Sequence, residues 1–182
     1  MTVREVLFVT CDLLSKPELA KKIKQGQELT QEEQELTNQL ITMTNLIQDE
    51  ICTEFIPIIF EEDIQSAYGE MDISSLSKTL AYVLSLKDEF GQNVRYKIKG
   101  SKIVFDGKAR IEYCYIPNIV DIDDDFEFVL PARVFAYGIL REYFLSNDMT
   151  SEASVYEEKF KNSLIIFARK HSEMIMPKRS WQ

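Results

Sequence analysis

The chain has 182 residues, 45% of them hydrophobic and 11% aromatic, with 30 acidic side chains against 21 basic ones and a net charge of −9. This supplies the core of one domain spanning 1–182, and six glycines with five prolines are too few for a linker-rich or disordered chain. The acidic balance argues against duplex nucleic acid, which requires clustered cations, and against an anionic membrane surface, the only basic-leaning runs being Lys16 to Lys24 and Lys178-Arg179.

Residues 1–56 read as helical. Val3, Val6, Leu7, Thr10 and Leu14 recur at helical spacing until Pro17 interrupts them. Thr30 and Glu33 form a capping-box signature, in which a hydroxyl accepts from an amide at the helix start and the carboxylate reaches back. Leu36, Leu40, Met43, Ile47 and Ile51 then mark one face of a long helix that ends before Pro57. The apolar run Val6 to Cys11 is too short for a signal peptide's core, and no run approaches the length of a membrane span, so a soluble, intracellular protein is expected.

Residues 57–116 change period. Ile58 to Phe60, Leu80 to Leu86, Val94 to Ile98, Ser101 to Phe105 and Ala109 to Ile116 are short β-rich runs separated by turn residues. Asp106-Gly107 suits a two-residue hairpin. No helix-length segment separates the runs, so an antiparallel meander of four to six strands is expected rather than a parallel sheet. Residues 117–182 hold an acidic loop and a helical hairpin. Pro131 fits a first turn, and Ala136, Leu140, Tyr143 and Phe144 make one face. Ser146-Asn147-Asp148 breaks the helix, and Ala153, Tyr156, Phe160, Leu164 and Phe167 line the next. The expected fold is thus α+β: a helical bundle with a small antiparallel β-meander inserted between its second and third main helices.

No catalytic, cofactor or metal motif emerges. The cluster Asp121, Asp123, Asp124, Asp125 and Glu127 opens like a calcium loop but has Phe126 where the loop needs Gly and Ala132 where it needs Glu. It reads better as a solvated acidic loop that favours the N-terminus of the following helix. Gly100 to Lys108 lacks phosphate-loop spacing, and Ala109 stands where Ser or Thr should be. His171 is the single histidine and suits a helix end. Cys11, Cys52 and Cys114 lack metal or disulfide spacing and read as buried, reduced thiols. Trp181, beside Lys178-Arg179, is a candidate for docking on a partner. The acidic loop and Trp181 are therefore the candidate interaction surface, and no cofactor is expected.

Three stretches carry a resemblance: Ser75-Leu-Ser-Lys-Thr-Leu-Ala-Tyr-Val-Leu-Ser-Leu-Lys-Asp88; Arg110-Ile-Glu-Tyr-Cys-Tyr-Ile-Pro117 running into the acidic loop and Leu130-Pro-Ala-Arg133; and Ala136-Tyr-Gly-Ile-Leu-Arg-Glu-Tyr143 followed by Ala153 to Phe160. With the order of elements over about residues 36–171, this pattern resembles the head–tail adaptor (connector) proteins of tailed bacteriophages and prophages. The resemblance implies a non-enzymatic subunit of a ring, commonly of twelve, between the portal of the capsid and the tail. Its partners would be other copies of itself and the portal and tail proteins. It would be cytoplasmic during assembly and then part of the virion, without sequence-specific nucleic-acid binding. A negatively charged channel wall would let DNA slide. The alternative is an intracellular ligand- or peptide-binding module using the β insertion and acidic loop.

Overall fold

The fold is mixed α+β, with five helices and two small antiparallel sheets among the residues described by a computed structural model, 1–127 and 129–171. Helices α1 (Val3–Leu13), α2 (Pro17–Gln25) and α3 (Gln31–Glu50) come first, and α3 widens into a π-turn over Ile51–Phe55. Strands β1 (Ile59–Gln65), β2 (Glu70–Asp72), β3 (Thr79–Lys87), β4 (Lys97–Lys99), β5 (Lys102–Val104) and β6 (Lys108–Ile116) follow, and α4 (Ala132–Ser146) and α5 (Thr150–His171) close the described chain.

Local chemistry sets the helix ends. Thr30 and Glu33 make the expected capping box, and Thr2 with Glu5 makes a second one at α1. Pro17 does not merely interrupt. It occupies the start of α2, where its missing N–H costs nothing, and Gly26 ends that helix in the left-handed conformation. The strands therefore follow the third helix of the chain, not the second. The long helix is regular only to Glu50. Beyond it the Ile56 amide reaches back five residues to the Ile51 carbonyl at 2.8 Å, and this wider turn buries Ile51 and Cys52.

Helix α4 lies at the centre of the helices, against α1, α3 and α5. Its buried residues run almost all the way round: Val134, Phe135, Ala136, Gly138, Ile139 and Leu140. Gly138 is what lets α3 approach, since a Cβ there would lie 2.8 Å from the Ile47 side chain. Val3, Leu7, Leu40, Ile47, Phe135, Phe160 and Leu164 fill this core.

The strands divide differently from a meander. One sheet has the order β1-β6-β3 and the other β2-β5-β4, all pairs antiparallel. Because β1 and β3 occupy both sides of β6, β5 cannot pair with it, and Asp106-Gly107 is a corner between sheets, not a hairpin. The Gly107 carbonyl there accepts from the Ser66 amide at 3.0 Å. A two-residue hairpin instead lies at Gly100-Ser101, closed by the Lys99–Lys102 pair, with Gly100 at φ 59. The inner faces of the sheets share a second core of Ile64, Leu86, Ile103, Phe105, Ile111 and Tyr113.

Among the described residues, no helix is long and apolar enough to cross a membrane.

Candidate interaction surfaces

Two polar side chains of α3 hold the start of the acidic segment. Asn45 exchanges hydrogen bonds with both backbone groups of Val120, at 2.8 and 3.0 Å, and Gln48 donates to the Asn118 carbonyl at 2.9 Å. The chain then turns against its own N-terminus. The Val3 amide donates to the Asp124 carbonyl and the Phe126 amide to the Met1 carbonyl, at 3.0 and 3.2 Å. Asp123 pairs with Arg4, Asp125 lies 3.7 Å from the terminal ammonium, and Asp124 accepts from the Asp121 amide at 2.7 Å.

The acidic loop thus serves the N-terminus of α1, where amide dipoles and a free amine attract carboxylates, and not that of the following α4. Even so, the side chains of Asp123 and Asp125 remain 77% and 74% exposed. Ile119 and Val129, on either side, are 86% and 82% exposed. Glu127 turns elsewhere: it accepts from Tyr115 at 2.6 Å and pairs with Lys78 at 3.1 Å. Those contacts, the Tyr115 bond foremost, hold its carboxyl below the usual range. Trp181 lies outside the described residues, as does everything past residue 171.

The β part contains a matching pair. Glu62 accepts from Tyr113 at 2.6 Å and from the Ser77 hydroxyl and amide at 2.6 and 3.0 Å. Partial desolvation pushes the Glu62 pKa up, but these three donors outweigh it and leave the carboxyl below its usual range. Burial, with the Glu62 contact, pushes Tyr113 up to about 12. These are satisfied structural bonds. Burial pushes the Cys11 thiol up to about 11 and the Cys52 thiol up to about 12, away from the thiolate form.

Over the outer face of the first sheet lies an open groove of about 760 Å³, lined by Glu61, Asp63, Lys87, Asp88, Lys108 and Arg110 among others. Arg110 bonds Asp63 at 2.9 Å and keeps it ionised. The groove brings charge of both signs together but no hydroxyl, thiol or imidazole that could act as nucleophile. No group of three or more His, Cys, Asp or Glu residues among the described residues could hold a metal ion.

A second charged surface escapes a reading by runs. Residues 93–110 hold six of the chain's 21 cations and only one of its 30 acids, yet no two of those six are adjacent. Val94 and Tyr96 pack into the sheet core, while Arg95, Lys97, Lys99 and Lys102 are exposed. Lys99 and Lys102 stand directly opposite across the hairpin, a like-charge pairing that destabilises a sheet. Glu70 pairs with Lys102 at 2.7 Å and also feels the charge of Lys99. Lys97 and Lys99 lie on the edge strand β4, where Ile98 is half exposed, Lys102 lies beside them on β5, and Arg95 comes just before β4. The signal available in the sequence is alternation, cation at every second position, not a run.

No protein-family model matches the chain, and a comparison with curated proteins finds no match.

Proposed function

We propose that this chain is a head–tail adaptor of a tailed bacteriophage or prophage: a helical bundle interrupted by a β insertion, which assembles with copies of itself into a ring joining portal to tail around the DNA channel. The observation that carries the reading is the division of the chain into two cores. Residues from both ends, α1 to α3 and α4 to α5, fill one core, and the intervening strands fill another. Such a subunit has separate faces for separate neighbours. Its polar clusters hold elements together, as Asn45 and Gln48 do for residues 118–120 and Glu127 does for Tyr115 and Lys78.

Purified protein, alone and mixed with a portal ring, tests this by light scattering and electron microscopy. Ring-shaped particles, or a layer added to the portal, are expected. Monomers under both conditions would overturn the reading. Monomers in isolation alone would not, since a ring can require a template. The second reading, a ligand- or peptide-binding module, is favoured by the groove beside Arg110. A thermal shift on titration with charged peptides or calcium, with no assembly on the portal, would select it instead.

A further inference from the structure

We propose that the basic ribbon Arg95, Lys97, Lys99 and Lys102 is a docking surface for a second copy of this chain, and that its occupant is the acidic loop Asp121 to Asp125. This rests on the assembly reading above and gives it a contact. The argument begins from charge. Outside residues 93–110 the chain has 15 cations against 29 acids, so the ribbon is a local reversal on an acidic molecule. Free phosphate-rich polymers meet the repulsive field of the whole chain before they meet the ribbon. An acidic surface presented by a folded neighbour can be held against the ribbon alone, with the remaining acids turned away.

The same polypeptide provides that surface. The acidic loop packs with the helical core and the ribbon with the sheet core, and no ion pair among the described residues joins them. Loop and ribbon therefore do not satisfy each other within one copy. Asp123 and Asp125 stay about three-quarters exposed in spite of their partners. The apolar Ile119 and Val129 flank it, and Ile98 sits at the ribbon's open edge. The two surfaces are complementary in charge, and each has apolar residues at its margin to exclude water. The opposed lysines Lys99 and Lys102 also gain a reason, since an anionic occupant removes a repulsion that the isolated hairpin must bear.

A contact between two unlike patches is heterologous. Each copy offers one ribbon and one loop, so repetition gives a closed ring or an open filament according to the rotation between copies.

The test exchanges charge. Arg95→Glu, Lys97→Glu and Lys99→Glu together leave only Lys102 positive and give a subunit acidic at both surfaces, and Asp121→Lys, Asp123→Lys and Asp125→Lys together leave only Asp124 negative and give one basic at both. Sedimentation velocity at low and high salt is the readout, with circular dichroism to show that each variant is folded. Wild type is expected to associate at low salt and to weaken as salt screens the contact. Each variant alone should associate on the order of 100-fold more weakly, and an equal mixture should recover, because ribbon and loop then alternate in sign. Folded variants that assemble like wild type, or a mixture that stays dispersed, would sink the contact. So would a wild-type chain that is monomeric at low salt but binds duplex DNA through these three cations, which would make the ribbon a phosphate surface. The two proposals separate cleanly: rings indifferent to the charge exchange remove this contact and keep the ring, and open filaments that obey it remove the ring and keep the contact.

Discussion

Three carboxylates, Glu50, Glu142 and Glu157, meet one guanidinium in the helical part of the protein, whereas in the β part Glu62 and Glu127 each meet a phenol. Arg141 is 12% exposed, bonds Glu142 through Nε at 2.9 Å, contacts Glu50 and Glu157 through its terminal nitrogens, and lies over the Phe160 ring. Desolvation opposes its charge, but the three carboxylates overcome that and hold it protonated far above the usual range. Tyr113 and Tyr115 work as neutral donors from the rim of the sheet core. An acidic chain must neutralise or hydrogen-bond the carboxylates that it packs. A permanent cation suits the junction of α3, α4 and α5, where acids come from three directions. A phenol suits a sheet face, where its ring can stay in the core and only its hydroxyl reaches the rim.

The largest test of this contrast is Arg141→Met. It leaves three half-buried carboxylates facing one another, and a loss of about 3 kcal/mol in urea unfolding is expected. Recovery of most of that loss on adding Glu50→Gln and Glu157→Gln would confirm that charge, not packing, is the cause. A loss below about 1 kcal/mol would reduce the cluster to a surface ion pair.

Gly138→Ala probes the dry side of the same region. In an exposed helix this change stabilises, yet here the new methyl meets Ile47, and a loss of about 2 kcal/mol is expected in the same measurement. A gain in stability would show that α3 and α4 can move apart freely.

Tyr113→Phe should cost about 1.5 kcal/mol, the worth of a hydrogen bond to a charged acceptor. It also has a pH signature. The raised pKa of Tyr113 means that its contribution is complete below pH 10 and is lost as pH rises towards about 12. Thermal midpoints between pH 9 and 12 should therefore fall less steeply in Tyr113→Phe than in wild type, while Arg141 contributes no such loss. On the acid side both parts behave alike. Glu62, Glu127 and Glu157 have lowered pKa values, so their contributions are present above the ordinary 4.5 and disappear as pH falls through the folded values.

The smallest effect expected is at the ribbon. Lys99→Glu replaces a like-charge pair by an opposite one across from Lys102 and should stabilise the monomer by about 0.3 kcal/mol. A destabilisation would mean that the lysine row is held by contacts within the monomer.

Local order was well expressed in the sequence. The Thr30 and Glu33 cap, the apolar spacing of α3 and α5, and the β-rich character of β3 and β6 all depend on residues within a few positions of each other. So does the burial of the three cysteines, each of which is enclosed. Helix α2 is local too: Pro17 interrupts the spacing of α1, and with Gly26 at the other end it also bounds a helix of its own. Strand β2, three residues long, is too short for any period.

What the sequence alone could not decide was partnership over distance. That β6 takes β1 and β3 as its neighbours, and so leaves β5 to a second sheet, follows from the competition of all strands for one central position. Sequence spacing does not express that competition. The acidic loop was visible as a cluster, but its attachment to Met1 and Arg4 required the chain to return across more than a hundred residues. The ribbon was hidden for a simpler reason. Alternating cations become a single surface only when a strand places every second side chain on one face. Charge types were written locally, and the fold decided which of them face one another and which are left facing outward.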